Sequence, residues 1–252
     1  MSLRMQYIHT QLIIIMVTVL GFSPILLAQT GNKPAAGKVP AAVSAQDLSG
    51  VWVAQDGQGP ALLTNSREEP PMTDWGKAQL SVNATHKDPH AKCNPAGIPR
   101  AYLSSRPIEF IQAANRVLVF YEEFHDWRQI WTDGRALPTN SAATDNGYSV
   151  GKWEGDTLVV DTVSFNDRTW LDNVGHPHSE ALHVLERIRR VNHDTLQVTF
   201  TIEDPKAFSQ PWTSAPRIFR LKPGYELTED FCVPDDVIAI HGAAKRARPH
   251  KN

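Results

Sequence analysis

The segment "ALHVLERIRRVNHDTLQVTFTIE", residues 181–203, decides the fold, because it contains two β-strand patterns joined by a short turn. In its second half, apolar and polar side chains alternate without a break, which is typical of a strand with one face in a core. The polar stretch "NHD" at 192–194 is typical of a hairpin loop. The apolar face of the second strand consists of Leu196, Val198, Phe200 and Ile202.

The number of residues in this turn decides which face of the first strand points inward, because a shift of one residue reverses every side chain. A two-residue turn would place Arg187 and Arg189 in the core. A three-residue turn, 192–194, buries branched apolar side chains instead, and we therefore expect that register, with Glu186 opposite Phe200. The inward series is then His178, Glu180, Leu182, Val184, Glu186 and Ile188.

The rest of the chain repeats the strand pattern. From residue 107 onward, short β-rich runs alternate with turn signals, and two-residue loops at 114–115 and 155–156 join neighbouring runs as hairpins. Few helical stretches separate the runs, so we expect antiparallel neighbours rather than parallel crossovers. The predicted strands are "GVWVA", "PIEFIQ", "RVLVFYEEF", "WRQIWTDG", "YSVGKWE", "TLVVDTVSF", "ALHVLERIRRV", "LQVTFTIE", "RIFRLK" and "YELTEDF".

One stretch, "PPMTDWGKAQL" at 70–80, has the features of a helix, because Thr73 or Asp74 can cap its N-terminus and apolar residues follow at helical spacing. With about ten strands and one short N-terminal helix, the domain is predicted to be all-β. We expect an antiparallel β-barrel of lipocalin-like or calycin-like type, with a polar patch inside an otherwise apolar cavity.

Composition divides the chain into four segments. Residues 1–28 have the pattern of a signal peptide, with Arg4 before an apolar run; an uncleaved anchor helix is the alternative, although the run is short for a membrane span. Residues 29–46 are typical of a flexible linker. The β-barrel domain is expected at 47–243, before a basic tail at 244–252. These features predict a periplasmic or secreted protein with no stable membrane span after processing.

The charge balance does not indicate nucleic-acid binding. The formal net charge of the chain is −2. Removal of residues 1–28 takes away one of the 25 basic residues and none of the 27 acidic ones, which leaves −3. The expected partner is therefore a small-molecule ligand or substrate.

Two cysteines, Cys93 and Cys232, lie far apart in the sequence. An oxidising compartment favours a disulfide bond between them, and two free thiols are the alternative. Neither cysteine belongs to a C-x-x-C pair, which argues against a Cys/His metal site. His176 and His178 are a weak candidate metal pair, because alternate loop histidines are more often merely polar. We predict no metal and no cofactor.

An inward Glu186 is costly in a barrel unless it is paired or hydrated. Two interpretations stay open: a buried ion pair with Arg128 or Arg187, or a polar binding or catalytic cavity.

A second acid is expected inside the barrel. The hairpin loop at 155–156 places Asp161 on an apolar side of its strand, and a nearby hydroxyl such as that of Tyr148 is the alternative explanation for its position. Tyr121 and Arg128 lie in a polar stretch whose alternation assigns them no face.

Two classes of function fit these residues. The first is an exported enzyme that acts on a small, partly apolar or sugar-derived molecule by general acid/base chemistry, as a lyase, isomerase or hydrolase. The second is a periplasmic binding protein in which the same residues only orient the ligand. The catalytic candidates are His178 and Glu186 as acid and base, with Asp161 and Glu180 as orienting or second acid groups; the substrate-binding candidates are Tyr121, Arg128 and Tyr148.

Long motifs extend across residues 47–235, among them "PPMTDWGKAQL", "WRQIWTDGRALP" and "GYSVGKWEGDTLVVDTVSFNDRTWLDNVGHPHSEALHVLERIRRV". They resemble an uncharacterised family of secreted bacterial β-rich proteins. The resemblance implies export and a β-rich fold, and the cysteines of "CNP" and "FCVP" also match family positions. It implies no activity and supplies no catalytic residue.

Overall fold

The computed structural model describes Ser44 and residues 46–233. The predicted signal peptide (1–28), almost all of the linker (29–46), the end of the predicted domain and the basic tail (244–252) lie outside the described residues. Among the described helices, none combines the length and the apolar character needed to cross a membrane.

Strands dominate the described chain, with one α-helix, α1, at Asp74–Asn83. Thr73 caps this helix as expected, because its side-chain oxygen accepts a hydrogen bond from the Gly76 N–H at 3.1 Å. The strands are β1 (Gly50–Ala54), β2 (Ile108–Ala113), β3 (Arg116–Tyr121), β4 (Asp126–Trp131), β5 (Tyr148–Glu154), β6 (Thr157–Val163), β7 (His183–Asn192), β8 (Thr195–Glu203), β9 (Trp212–Thr213) and β10 (Arg217–Leu221).

Nine of these strands close into a barrel, as the strand pattern predicts. The sheet runs in the order β1-β2-β3-β4-β5-β6-β7-β8, and β10 pairs with both β8 and β1 to complete the ring. The short β9 is an extra strand that pairs with β8 outside the ring.

The barrel is mixed, so the expectation of a purely antiparallel sheet is wrong at one place. Strands β4 and β5 are parallel and share only two register pairs, Ile130 with Ser149 and Trp131 with Val150. The connection between them, residues 132–147, is long enough to return the chain to the starting end of β4 without a helix. Parallel connections usually contain a helix, and the scarcity of helical stretches between the strand patterns therefore gave no sign of this loop.

The β7–β8 hairpin has the expected register: Val184 lies opposite Ile202, Glu186 opposite Phe200 and Ile188 opposite Val198. The turn itself differs from the expectation. It contains two residues rather than three, because Asn192 pairs with Thr195, and the register shifts between Arg190 and Asn192. The intervening β-bulge supplies the extra residue that keeps the even-numbered side chains of β7 inward.

The predicted strand "YELTEDF" at 225–231 does not form. Instead, this segment crosses the end of β3, where the Tyr225 hydroxyl and the Thr228 N–H both donate to the buried Glu122 carboxylate at 2.9 Å. These two hydrogen bonds to the carboxylate hold the segment against the barrel in place of strand pairing.

A packed aromatic cluster fills the barrel at the level of Glu186. Tyr102 projects into it from a short 3₁₀ turn, Arg100–Leu103, and is fully buried. Its ring lies 5.4 to 6.0 Å from its three aromatic neighbours, distances at which rings pack edge-on or tilted. Those neighbours are Tyr121, Phe200 and Phe219.

The predicted disulfide bond between Cys93 and Cys232 is present. It joins the loop before the 3₁₀ turn to the segment that follows β10, and it closes a loop with a sequence separation of 139 residues. Cross-linking so long a loop restricts the unfolded chain strongly.

Replacement of both Cys93 and Cys232 by serine should lower the free energy of unfolding by about 4–5 kcal/mol, because the unfolded chain regains the entropy of the open loop. Urea denaturation monitored by circular dichroism measures this change. The wild-type protein in a reducing agent should unfold at the same urea concentration as the double variant. Equal midpoints for the variant and the oxidised wild type would contradict the prediction.

Candidate functional site

The inward Glu186 forms a buried ion pair with Arg128, one of the two partners considered from the sequence. The two guanidinium Nη atoms donate to the two carboxylate oxygens at 2.8 and 2.6 Å, and both side chains are almost completely excluded from solvent. Arg128 reaches this position because β4 alternates, so that Arg128 and Ile130 face inward while Trp127 faces solvent. The bidentate geometry is the strongest arrangement available to such a pair.

Two hydroxyl groups extend the pair into a network. Arg128 Nη2 also donates to the Tyr102 hydroxyl at 3.0 Å, and Arg128 Nη1 lies 3.5 Å from the Ser149 Oγ. Burial by itself would lower the pKa of the Arg128 guanidinium, but the Glu186 carboxylate raises it, and the net direction is upward. Burial raises the pKa of the Tyr102 phenol, which keeps it a neutral hydroxyl. The network is therefore a fixed charge pair with neutral neighbours.

A cleft of about 350 Å³ opens where β4 and β5 separate, and Arg128 and Ser149 lie along it. Its walls are aromatic and polar. Trp127 is 53% exposed, which leaves much of the indole surface free for contact with a ligand. The residues that line the cleft are Pro95, Trp127, Arg128, Gln129, Trp131, Thr144, Asp145, Asn146, Gly147, Tyr148 and Ser149.

Two residues that line the cleft each have a buried polar atom without a hydrogen-bond partner. One is the Nε of Arg128, whose other nitrogens are occupied by the network. The other is the Oδ1 of Asn146. The orientation of this amide is fixed because its Nδ2 donates to both oxygens of Asp126, at 3.0 and 3.1 Å. The cleft therefore contains one unused donor and one unused acceptor, each of which is costly to bury without a partner.

Several charged groups around the cleft form ion pairs, whereas the Asp126 carboxylate accepts from the Asn146 amide. Asp145 accepts from Arg168 at 3.1 Å, and Arg135 binds Asp133. Arg135 also stacks on the Trp131 indole at 3.6 Å. Since the Arg128 charge is balanced by Glu186, the cleft offers hydrogen-bonding groups and aromatic surface without a net charge at its floor.

The substrate-binding candidates lie in and behind this cleft. Tyr148 borders it, and its hydroxyl accepts a hydrogen bond from Arg135 Nη1 at 3.2 Å. Tyr121 lies behind the ion pair in the aromatic cluster, where it is buried, and burial raises the pKa of its phenol. Only Arg128 and Tyr148 of the three are therefore positioned beside the opening.

His178 is buried, as expected, but it does not belong to the Glu186 network. Its Nδ1–H donates to the Ser179 carbonyl oxygen at 3.2 Å, and its Nε2 shares a hydrogen bond with the Thr169 hydroxyl at 2.9 Å. The carbonyl oxygen only accepts, so Nδ1 carries a proton, whereas a hydroxyl can either donate or accept. Burial lowers the pKa of His178, which favours the neutral imidazole. Its hydrogen bonds are those of a core histidine.

The expectation that Asp161 faces inward is wrong. The buried side of β6 consists of Leu158, Val160 and Thr162, whereas Asp161 lies outside and binds His183 Nε2 at 2.5 Å. The prediction placed Asp161 on the side of the buried Phe165, but Ser164 has a positive φ of 63° that interrupts the alternation before that residue.

The expectation that Glu180 faces inward is also wrong, because Glu180 is exposed. Strand β7 begins only at His183, and the preceding residues form a turn in which the Leu182 N–H donates to the Ser179 carbonyl oxygen. The two-residue period of a strand therefore does not extend back to Glu180. The structure does not bring Glu180 or Asp161 together with Glu186.

A second buried acid–base group was not singled out from the sequence. His176 is sandwiched between Asp172 at its Nδ1, 2.5 Å away, and Glu69 at its Nε2, 2.9 Å away. Burial lowers the pKa of His176 but the two carboxylates raise it, with a net upward shift. Asp172 also accepts from four backbone N–H groups, three of them in its own loop and one from Leu62, so the cluster stabilises the loop before β7. The sequence signal was an Asp and a His four residues apart in one loop.

Among the residues that the structure describes, no group of three or more His, Cys, Asp or Glu side chains is arranged to hold a metal ion. Comparison with protein-family models and with curated proteins finds no match for this chain. The cleft and its neighbouring ion pair therefore form the candidate site on their geometry alone.

Replacement of Glu186 by glutamine should lower the free energy of unfolding by about 3–5 kcal/mol, because it leaves the Arg128 charge buried without a counter-charge. Chemical denaturation measures the change. Replacing both partners by apolar residues, as R128M with E186L, should recover most of this loss.

Arg187→Gln is the matched control for this prediction. It removes a charge from the neighbouring position of β7, where Arg187 pairs with Glu154 in a half-exposed ion pair at 3.2 Å. Such pairs contribute up to about 1 kcal/mol. An E186Q variant that loses no more stability than R187Q would refute the role given to the buried pair.

The two loop histidines should change stability with pH in opposite directions. The pKa of His176 is raised in the folded state, so its contribution is present below the ordinary value of 6.5 and is lost as pH rises through the folded pKa. The pKa of His178 is lowered, so its contribution is present above 6.5 and is lost as pH falls. The physical reason is that the folded state favours the charged form of His176 and the neutral form of His178.

The measurement is the difference in unfolding free energy between the wild type and each His→Asn variant, at about pH 5.5 and about pH 8.5. For His176→Asn the difference should be larger at the acidic pH, and for His178→Asn it should be larger at the alkaline pH. Two differences that change in the same direction would contradict the assignment.

Proposed function

We propose that this protein is an exported, lipocalin-like binding protein whose β4–β5 cleft takes a small, uncharged, polyhydroxylated molecule such as a sugar or sugar derivative. The observation that carries the proposal is the pair of unsatisfied groups at the cleft, the Arg128 Nε–H donor and the Asn146 Oδ1 acceptor, beside an exposed indole. A ring with adjacent hydroxyl groups satisfies a donor and an acceptor at once and places its C–H face on an aromatic surface.

Charge and size support a neutral, small ligand. The Arg128 guanidinium is balanced by Glu186, so an anion gains no net attraction from the floor of the cleft. The volume of about 350 Å³ is near the lower end for ligand pockets, which suits one or two sugar rings better than a long apolar ligand. The packed aromatic cluster behind the ion pair favours binding in the cleft of the wall rather than in the centre of the barrel.

Export fits the same proposal. The disulfide between Cys93 and Cys232 suits an oxidising compartment, and the signal-like residues 1–28 agree with it. We infer a periplasmic or secreted location, as the resemblance to secreted β-rich proteins also implies.

Acid/base catalysis by His178, Glu186, Asp161 and Glu180 receives less support. Glu186 is held in a bidentate ion pair, and burial lowers the pKa of His178, which favours its neutral form. Asp161 and Glu180 lie outside the barrel wall. A general acid or base needs to reach the substrate proton, and no two of these groups share the cleft.

Isothermal titration of the mature protein with neutral hexoses, N-acetylhexosamines and a uronic acid tests the proposal. At least one neutral sugar should bind, and Trp127→Ala should weaken its binding about tenfold or more, because the stacking surface is lost. Phe231→Ala is the control, since Phe231 is an aromatic residue at 73% exposure, more accessible than Trp127, that does not line the cleft.

Failure of every sugar to bind, or equal losses for W127A and F231A, would refute the sugar-binding proposal. Nuclear magnetic resonance of the bound sugar over time separates binding from catalysis. An unchanged sugar is expected, whereas conversion that disappears in His178→Asn would favour the enzyme instead.

A further inference from the structure

A buried arginine without a counter-charge lies at the other side of the barrel. Arg217 is on the inward side of β10, next to the core residue Phe219, and is 5% exposed. Its Nη1 donates to the carbonyl oxygens of Gln58 and Gly59 at 2.8 and 3.2 Å. Its Nε has no hydrogen-bond partner. Within the described part of the chain, no carboxylate forms an ion pair with Arg217.

Two other buried arginines, Arg128 and Arg100, are neutralised by carboxylates. Arg128 binds Glu186, and Arg100, which is also 5% exposed, binds the two oxygens of Asp88. Two carbonyl dipoles only partly replace a carboxylate for Arg217, because they carry no full negative charge. Arg190, which is 7% exposed, is also held by carbonyl oxygens alone, but its Nε and both of its Nη atoms all donate. Arg217 differs from it because its Nε is left without a partner.

A second arginine borders the same pocket. Arg67 lies in the turn between Thr64 and Glu68, where its backbone adopts the left-handed conformation with φ of 63° and its N–H donates to the Thr64 carbonyl oxygen. Burial lowers the pKa of Arg217, and the positive charge of Arg67 lowers it further. The lining residues are Gln58, Ala61, Leu62, Leu63, Arg67, Ala215, Pro216 and Arg217.

The pocket is too small for a whole organic ligand. Its volume is about 30 Å³, which suits one compact polar group. Two guanidinium groups with free donor capacity match the planar or tetrahedral oxygens of an oxyanion, and guanidinium forms strong charge-assisted hydrogen bonds with them.

We propose that the Arg67–Arg217 pocket binds a small oxyanion, namely a carboxylate, sulfate or phosphate group. The bound anion supplies the counter-charge that Arg217 otherwise lacks and accepts its Nε–H. The site is independent of the β4–β5 cleft, because the two share no lining residue.

The experiment is a thermal unfolding series of the mature protein in acetate, sulfate, phosphate and chloride at matched ionic strength. At millimolar concentration, at least one oxyanion should raise Tm by about 2 °C or more relative to chloride. Arg217→Met should abolish this oxyanion-specific rise, and Arg67→Gln should reduce it. The three oxyanion arms distinguish the planar carboxylate from the tetrahedral anions.

Two controls separate binding from general salt effects. Arg189→Gln removes an exposed arginine that pairs with Asp156 at 2.7 Å, and it should keep the full oxyanion-specific rise. In chloride, Arg217→Met should unfold at the same or a higher temperature than the wild type, because an unpaired buried charge is removed. A rise in the wild type no larger than that in R217M would overturn the proposal, since sulfate and phosphate stabilise proteins non-specifically.

Discussion

The buried ion pair between Arg128 and Glu186 is the constraint on which the candidate site depends. A carboxylate inside a barrel wall is tolerated only with a close counter-charge, and Arg128 supplies both Nη groups to it. The pair exists because two separate strands have the correct parity: β4 aims Arg128 inward, and the bulge near Asn192 keeps Glu186 inward on β7. A slip of one residue in either strand would leave one buried charge alone.

The opening beside this pair follows from the parallel junction between β4 and β5. Strands β4 and β5 share only two register pairs, whereas the neighbouring hairpins are paired along most of their length. Fewer ladder hydrogen bonds leave room between the strands, and the start of β4 separates from the segment that leads into β5. The barrel is filled by aromatic side chains at this level, so the candidate site lies in its wall.

Several features could be predicted from the sequence because local chemistry determines them. The strict alternation of apolar and polar residues in β8 predicted its pairing with β7. The presence of two cysteines in a chain expected in an oxidising compartment predicted the disulfide bond. A buried ion pair was one of two interpretations of Glu186, and Arg128 was one of two partners considered for it. Burial of Glu186 requires a partner but does not say which strand supplies it. The closure of β10 onto β1 and the parallel contact of β5 depend on long-range pairing and were not predictable from local patterns.

The errors have local causes as well. Valines occur on both faces of β6, so apolar character did not distinguish the inner face from the outer one. In addition, the positive φ of Ser164 interrupts the alternation of side chains, so that Phe165 does not lie on the same face as Asp161. Glu180 was assigned by extending a strand period into a turn. The unpaired Arg217 leaves no periodic signal, because its partners belong to a loop that meets β10 only in the folded chain. The Asp172–His176 contact is local, but its second carboxylate, Glu69, comes from a distant loop.

The most direct test of the account is the nuclear magnetic resonance signal of the Arg128 guanidinium. If Arg128 is clamped by Glu186 beside the cleft, its Nη protons should exchange slowly with water and show nuclear Overhauser contacts to the Glu186 side chain. The Nε–H resonance should then shift when a sugar occupies the cleft. A guanidinium that exchanges rapidly and shows no contact with Glu186 would contradict the ion pair, and with it the neutral floor of the site.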